Sequence, residues 1–212
     1  MTFDVQRERM VSEQLVGRGI RDRAVLQAFS DVARHEFVPQ EYQSDAYSDR
    51  PLPIGEEQTI SQPYITALML EQLRWTPGDK VLEVGTGSGY QAALLAKMGA
   101  NVLTLERIPP LAQTATERIE RMGIRNVRVR MADGSLGWAE EAPFDGILVS
   151  ACAPRVPDGL VAQLAEGGRL ILPIGDSLSQ RLMVIESHQG RTQERVICGC
   201  LFVPLVSGEV VG

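Results

Sequence analysis

The sequence predicts an α/β fold with a doubly wound, mostly parallel sheet, antiparallel strands toward the C-terminus, and an N-terminal extension of helices and loop. Three observations predict this class. Apolar runs of strand length alternate with helical patterns along the middle of the chain, which is typical of βαβ units. Two later strand-like runs are separated by a polar loop of hairpin size, and the N-terminal part does not alternate in this way.

The size and composition fit one domain. The chain has 212 residues, of which 44% are hydrophobic and 23% charged. We expect residues 1–75 to form the extension and residues 76–212 the α/β core with the C-terminal strands. The net charge of −6 argues against binding to nucleic acid or to an anionic membrane. No apolar run is long enough to cross a bilayer, so we expect a cytoplasmic protein, and a monomer.

The N-terminal part begins with helical patterns. Apolar spacing predicts a helix over residues 4–17 and a shorter one over residues 22–29. The segment from Phe37 to Gln62 is rich in Pro, Gly, Tyr and polar residues and follows no period. A long irregular segment inside a compact domain is usually functional or disordered, and the aromatic content here favours order. A third helix is expected over residues 63–73.

The strands of the sheet are predicted from seven apolar runs. Five of them predict the parallel strands, at residues 80–84, 101–106, 126–131, 144–149 and 168–172. Two more, at residues 181–186 and 195–205, predict the antiparallel end of the sheet. Ligands of open α/β sheets bind at the carboxyl ends of the parallel strands, so functional residues are expected there.

Cysteines and histidines give little sign of a metal or redox site. The spacing of Cys198 and Cys200 suits no common zinc site, and Cys152 makes the number odd. Alternate residues of a strand share a face, so we expect Cys198 and Cys200 to be small buried core residues. His35 and His188 are expected to have structural or solvated roles, and no metal is expected.

The strongest local signal is the stretch VLEVGTGSGYQAALLA at residues 81–96, where an apolar strand runs into a glycine-rich turn and then a helix. Gly85, Gly87 and Gly89 are spaced two apart. A dinucleotide-binding loop would read G-x-G-x-x-G, but Tyr90 stands at the position where that pattern needs its last glycine. The turn therefore disfavours NAD, although its glycines let a ligand approach the backbone without meeting a Cβ atom.

Three acidic residues accompany the turn at predicted strand ends. Glu83 leads the turn, Glu106 ends the second strand-like run, and Asp133 follows the third. A carboxylate at Glu106 can accept hydrogen bonds from two adjacent ribose hydroxyls and would repel a 2′-phosphate, which argues against NADP. Each residue also has a simpler explanation. In that explanation Glu83 only structures the turn, Glu106 is a solvated strand end, and Asp133 only caps a turn with Gly134. Their joint placement favours one small ligand.

The E-x-G-x-G-x-G pattern that Glu83 leads resembles the first motif of class I S-adenosylmethionine-dependent methyltransferases. The resemblance implies a Rossmann-like methyltransferase fold that binds S-adenosyl-L-methionine and releases S-adenosyl-L-homocysteine. Asp133 would accept from the adenine amino group. The implied cofactor-binding residues are Glu83, Gly85, Gly87, Gly89, Glu106, Asp133 and Gly134.

Longer stretches resemble the protein-L-isoaspartate (D-aspartate) O-methyltransferase family, in the family's order and over nearly the whole chain. They are RHEFVP (34–39), PLPIGEEQTISQPYI (51–65), ADGSLGW (132–138) and FVPLV (202–206). Ala132 and Cys152 depart from the glycine and alanine expected there. The resemblance implies methylation of the free α-carboxylate of L-isoaspartyl residues in damaged proteins and peptides, with D-aspartyl residues as a further substrate. The methyl ester then starts repair through a succinimide.

The family pattern implies that a hydroxyl of the T-I-S element positions the acceptor carboxylate. Ser61 is the first candidate and Thr59 the second, and capping of the helix that follows is the simpler role for Ser61. A carboxylate is already ionised at pH 7, so the reaction needs no general base. We expect a shallow groove for the substrate peptide, formed by Ile54, Gly55, Gln58, Val203 and Val206.

Three other functions stay open on the sequence. A related enzyme would methylate a carboxylate of a modified peptide. A non-catalytic module of the same fold would bind S-adenosylmethionine or a protein partner. An NAD-dependent oxidoreductase fits worst, because the glycine spacing is wrong and no proton-transfer residue is evident.

Overall fold

The computed structural model describes residues 1–208. Its N-terminal extension consists of α1 (Phe3–Arg9), α2 (Arg23–Asp31), the hairpin strands β1 (Leu52–Gly55) and β2 (Gln58–Ile60), and α3 (Pro63–Leu73). The prediction of α2 is confirmed, since the carboxylate of Asp22 accepts hydrogen bonds from the amides of Ala24 and Val25 at its start.

The helix predicted over residues 4–17 is α-helical only to Arg9, although the chain stays helical to Arg18. A π-helical turn, Met10–Leu15, and a 3₁₀ turn follow α1, and the chain reverses at Gly19 with a φ of 101°. The reason is packing. Met10 and Leu15 are five residues apart and both fully buried, and the wider π-helical turn places residues at this spacing on one face.

The segment from Phe37 to Gln62 was predicted to be irregular throughout, but β1 and β2 pair within it. The turn between them is made by Glu56 and Glu57, whose φ angles are 52° and 57°. Hairpin turns with positive φ at both central positions normally carry Asn or Gly. Two glutamates in that conformation gave no hairpin signal in the sequence.

The central sheet is formed by β3 (Lys80–Val84), β4 (Asn101–Glu106), β5 (Val127–Met131), β6 (Phe144–Val149), β7 (Leu164–Gly175), β8 (Gln180–His188) and β9 (Arg191–Cys200). Within residues 1–208 the strand order is β5-β4-β3-β6-β7-β8-β9. The first five strands in this order are parallel and the last two pair antiparallel. The predicted fold class is confirmed.

The strand order reverses at β3. The chain moves outward from β3 to β4 and β5, and then returns to the other side of β3 as β6. The carboxyl ends of β3, β4 and β6 therefore meet at the switch point of the sheet, where open α/β proteins bind ligands. The helices α4 (Tyr90–Met98), α5 (Pro109–Arg121) and the short α6 (Asp158–Val161) connect the parallel strands.

One core joins the extension to the sheet. Buried residues of the extension, such as Met10 and Phe29, pack in the same hydrophobic cluster as Leu94 of α4 and Leu148 of β6. A second cluster fills the other side of the sheet around Leu82, Phe144 and Leu172. Within residues 1–208, each helix is too short or too polar to cross a bilayer.

The strand predicted over residues 195–205 ends at Cys200, because the chain there leaves β8 and crosses the carboxyl edge of the sheet. We call residues 201–208 the C-terminal strap. The side-chain amide of Gln180 holds the strap by donating to the carbonyl oxygen of Phe202 at 3.0 Å and accepting from its N–H at 2.6 Å. The backbone of Cys152 bonds to the carbonyl oxygen of Val203 and to the amide of Leu205, both at 2.7 Å.

Candidate active site

A cavity opens at the carboxyl ends of β3, β4 and β6, and we call it the first cavity. It brings together most of the predicted site: Gln58, Thr59, Ser61, Glu83, Gly85, Gly87, Glu106, Gly134, Val203 and Val206 all line it. Ile54, Gly55, Gly89 and Asp133 do not lie in its wall.

The glycine-rich turn needs glycine for different reasons at different positions. Gly85 and Gly87 line the first cavity with φ angles of 92° and 52°, a region that side chains disfavour. A Cβ atom on Gly87 would lie 3.2 Å from Cδ1 of Ile54, so Ile54 packs over the turn. A Cβ atom on Gly89 would instead lie 3.5 Å from Cβ of Ala115 in α5. The structure thus gives Gly89 a role in helix packing, and its contact with a cofactor stays a prediction.

Glu106 is held at the first cavity by two backbone amides. Its carboxylate accepts from the N–H of Gly87 at 2.8 Å and from the N–H of Ile108 at 3.0 Å, one on each oxygen. The side chain is buried, so the alternative of a solvated strand end is wrong. Each carboxylate oxygen still has acceptor capacity for a ligand hydroxyl.

Glu83 is a fully buried acid beneath the same turn. The hydroxyl of Thr104 donates to Oε2 of Glu83 at 2.6 Å, and Thr104 is itself 2.6 Å from the hydroxyl of Thr86. Oε1 of Glu83 has no hydrogen-bond partner among the described residues. The pKa of Glu83 is raised to about 8, mainly because the side chain is buried; hydrogen bonding by Thr104 and Gln91 opposes this rise, and the charge of Glu106 adds to it. The acid is therefore mostly protonated at neutral pH in the ligand-free protein, and a cationic ligand group beside it would favour the ionised form.

Asp133 lies beside the first cavity and caps a turn, as its simpler explanation predicts. Its Oδ1 accepts from the amide of Ser135 at 2.9 Å, and its Oδ2 accepts from the amide of Gly208 in the C-terminal strap at 2.8 Å. Burial raises its pKa, but these amides outweigh burial and hold the pKa below its usual value. Its predicted contact with adenine stays a prediction. Gly134 lines the cavity, and a Cβ atom there would lie 2.4 Å from Cγ1 of Val84.

A second, larger cavity adjoins the first between the start of α3, the end of β9 and the C-terminal strap. Six residues line both cavities and form what we call the junction: Thr59, Ser61, Ser150, Val203, Pro204 and Leu205. Both catalytic candidates from the sequence thus lie where the two cavities meet. A hydroxyl at the junction can contact a ligand in either cavity.

Cysteines also line the second cavity, and this corrects a prediction. Cys198 and Cys200 pack against the core but are only half-buried, because with the buried Cys152 they also line the cavity. The prediction of full burial is therefore wrong. Burial raises the pKa of Cys200 to about 12, so the thiol stays protonated. His35 stacks on Phe3 with ring centroids 4.0 Å apart, in the structural role expected.

Ser61 does not cap α3. The residue at the N-cap position is Gln62, which makes no capping bond. Asp49 serves that function from a distance, since its Oδ1 accepts from the amide of Tyr64 at 3.1 Å. The simpler explanation for Ser61 is therefore wrong, and its hydroxyl makes no hydrogen bond within residues 1–208. It is left for a ligand.

The backbone of the T-I-S element is held by Arg34, whose role the sequence did not reveal. This guanidinium is fully buried and donates to the carbonyl oxygens of Ala46 at 2.7 Å and Ser61 at 2.8 Å. It also lies over the ring of Tyr90, with the guanidinium carbon 5.1 Å from the centroid. Burial lowers the pKa of Arg34 to about 10, so it remains charged at neutral pH.

Comparison with known proteins reveals similarity over the whole site. A profile of the protein-L-isoaspartate(D-aspartate) O-methyltransferase family matches residues 6–210. The chain is 52% identical over 210 residues to a protein-L-isoaspartate O-methyltransferase of Trichlorobacter lovleyi, covering 99% of this chain and 97% of that one. It is 51% identical over 207 residues to one of Geobacter metallireducens, covering 97% and 96%.

Solved structures agree with the sequence comparison. The chain matches a protein-L-isoaspartate O-methyltransferase structure with a TM-score of 0.86 and 31% identity, covering 96% of this chain and 67% of that one. It matches a second structure, described as a putative protein-L-isoaspartate O-methyltransferase of Plasmodium falciparum in complex with S-adenosyl-L-homocysteine, with a TM-score of 0.81 and 31% identity, covering 92% and 96%.

Proposed function

The chain belongs to the protein-L-isoaspartate(D-aspartate) O-methyltransferase family, and from this premise we propose how its two cavities divide the reaction. The protein transfers a methyl group from S-adenosylmethionine to the free α-carboxylate of L-isoaspartyl residues in damaged proteins. The first cavity takes the cofactor, the second takes the peptide, and the junction holds the acceptor carboxylate. The observation that carries this division is the set of hydroxyls at the junction.

The residues of the first cavity fit S-adenosylmethionine. The carboxylate of Glu106, fixed by two amides, suits the ribose hydroxyls. The unpartnered oxygen of Glu83 suits an ammonium group, and Gly85 and Gly87 leave the backbone open to close approach. When bound, the cofactor supplies a methyl group on a sulfonium centre, which is electrophilic.

The junction supplies neutral donors for the acceptor. Ser61 is proposed to position the substrate carboxylate, with Thr59 as a second donor. Within the described residues, no Lys, Arg or His lines both cavities. A cation there would pair with the carboxylate and lower its nucleophilicity, whereas hydroxyl donors orient it and leave it reactive.

The C-terminal strap is proposed to form the peptide-binding wall, through Val203 and Val206. Val203 lines both cavities, and Val206 lines the first. Gln58 lines the first cavity with Thr59, so its predicted contact with the peptide would lie beside the junction. Ile54 and Gly55 lie in neither wall, so their contact with the peptide stays a prediction, and Ile54 packs over the glycine-rich turn.

We further propose that the protein works as one domain and one chain in the cytoplasm, without binding to nucleic acid or membrane. The shared core of residues 1–75 with the sheet supports a single domain. The net charge of −6 argues against a nucleic acid or an anionic membrane as partner.

Transfer of labelled methyl to three synthetic peptides tests this function. The peptides differ at one position, which carries L-isoaspartate, L-aspartate or D-aspartate. Label confined to the isoaspartyl peptide is the expected result, and label on the D-aspartyl peptide would extend the substrate range. Label on none of them, with cofactor binding intact, would refute the substrate and favour a carboxylate of a modified peptide.

A further inference from the structure

We propose that Ser150 is a second substrate-binding hydroxyl, which donates to the acceptor carboxylate, and that Gln91 orients it. The inference rests on the proposed function and extends it to a residue that the sequence analysis did not single out. Ser150 lies at the junction with Thr59 and Ser61.

The position of Ser150 is fixed by β3 and by the glycine-rich turn. It follows β6 directly, and its amide donates to the carbonyl oxygen of Val84 at 2.8 Å. A Cβ atom added to Gly85 would lie 3.5 Å from the Cβ atom of Ser150, which is ordinary contact. Ser150 is therefore a direct neighbour of the glycine-rich turn.

The paired side chain of Gln91 occupies one acceptor site of the Ser150 hydroxyl. Nε2 of Gln91, a buried residue in the first turn of α4, donates to Oγ of Ser150 at 3.1 Å. The same side chain lies near Glu83 and lowers its pKa, which agrees with an amino group facing this region. Since Oγ of Ser150 already accepts a hydrogen bond, its hydrogen is available to donate.

A free hydroxyl donor is complementary to a carboxylate. An ionised carboxylate has two oxygens and only accepts hydrogen bonds. Ser61 and Ser150 both lie at the junction, and two hydroxyl donors there hold the carboxylate plane so that an oxygen lone pair is directed at the methyl group. Gln91 also links the two cavities, because it contacts Ser150 at the junction and lies near Glu83 under the cofactor turn.

The test measures peptide binding by calorimetry, with S-adenosylhomocysteine present to fill the first cavity. Two peptides are compared that differ only at the isoaspartyl α-carbon, one with the free carboxylate and the other with a carboxamide. Ser150→Ala is expected to weaken binding of the carboxylate peptide about tenfold, because a hydrogen bond to a charged group is lost. Binding of the carboxamide peptide is expected to change much less. Ser150→Thr keeps the hydroxyl and should restore carboxylate binding.

Control variants distinguish a role in orienting the carboxylate from an effect on folding. Ser187→Ala removes a hydroxyl of β8 far along the strand from the junction and should change neither affinity. Gln91→Leu should weaken carboxylate binding alone, and should add little once Ser150 is already alanine, because both changes remove the same contact. An equal loss on both peptides in Ser150→Ala, or no loss on either, overturns the inference. A wild-type protein that methylates no isoaspartyl peptide refutes the proposed function and this inference with it.

Discussion

The buried acid Glu83 makes a strong prediction about stability and pH. Its pKa is about 8 in the folded protein and 4.5 for the unperturbed group, mainly because burial disfavours the charged form. Between these values the folded state holds a proton that the unfolded state has released. The contribution to stability is therefore fully present below pH 4.5 and is lost as the pH rises to about 8.

The size of this effect follows from the two pKa values. Each unit of pH between them costs about 1.4 kcal/mol of folding free energy. With rounding near the upper pKa, raising the pH from ~5.5 to ~7.5 is expected to destabilise the ligand-free protein by about 2–3 kcal/mol through Glu83 alone. Glu83→Gln keeps the size of the side chain and an acceptor for Thr104, but removes the titration.

The assay is urea unfolding of the wild type and of Glu83→Gln, without ligand, at both pH values. Groups other than Glu83, such as His35, titrate in both proteins and cancel in the comparison. The free energy of unfolding of the wild type relative to the variant should fall by about 2–3 kcal/mol across this interval. Parallel stability curves for the two proteins would mean that Glu83 is ionised throughout, and would refute the reasoning.

Three further predictions concern the site. Ser61→Ala should lower turnover on the isoaspartyl peptide and leave the Kd of the cofactor nearly unchanged, as measured by labelling and calorimetry. Glu106→Ala should raise the Kd of the cofactor about tenfold or more, because its carboxylate bonds are lost. Gly134→Ala should lower the free energy of unfolding by about 1–3 kcal/mol, since its Cβ atom would lie 2.4 Å from Cγ1 of Val84, and Val84→Ala should restore part of it.

Each of these predictions has an outcome that contradicts it. A large loss of cofactor affinity in Ser61→Ala would remove that residue from the acceptor site. An unchanged cofactor Kd in Glu106→Ala would place the ribose elsewhere. Gly134→Ala and its double variant with Val84→Ala should differ in chemical denaturation, and equal instability would show that Val84 is not the obstacle.

The parts of the fold that could be predicted depend on local pattern. The run from β3 through Gly85 and Gly87 into α4 is continuous in sequence, so its strand, turn and helix were visible in one stretch. The position of Glu106 at the first cavity could also be predicted, because the residue ends a strand of the parallel sheet.

The parts that could not be predicted depend on contacts between distant residues. Gln91 and Ser150 are 59 positions apart and meet only because α4 and β6 pack at the same edge of the sheet. Asp49 caps α3 from 15 positions away, which left Ser61 looking like the cap. For Cys198 and Cys200, the alternation of side chains along a strand predicted that both lie on one face. That this face lines the second cavity depends on the path of the C-terminal strap, which local pattern does not show.

In the proposed division of the site, the C-terminal strap connects the two binding equilibria. Its residues Val203, Pro204 and Leu205 belong to both walls, and its path is set by a few hydrogen bonds to Gln180 and Cys152. A ligand that orders the strap from one cavity reduces the entropy that a ligand in the other must lose. The resulting cooperativity is reciprocal by linkage, so each ligand changes the other's affinity by the same factor. Departure of the methylated peptide then also weakens the hold on the spent cofactor.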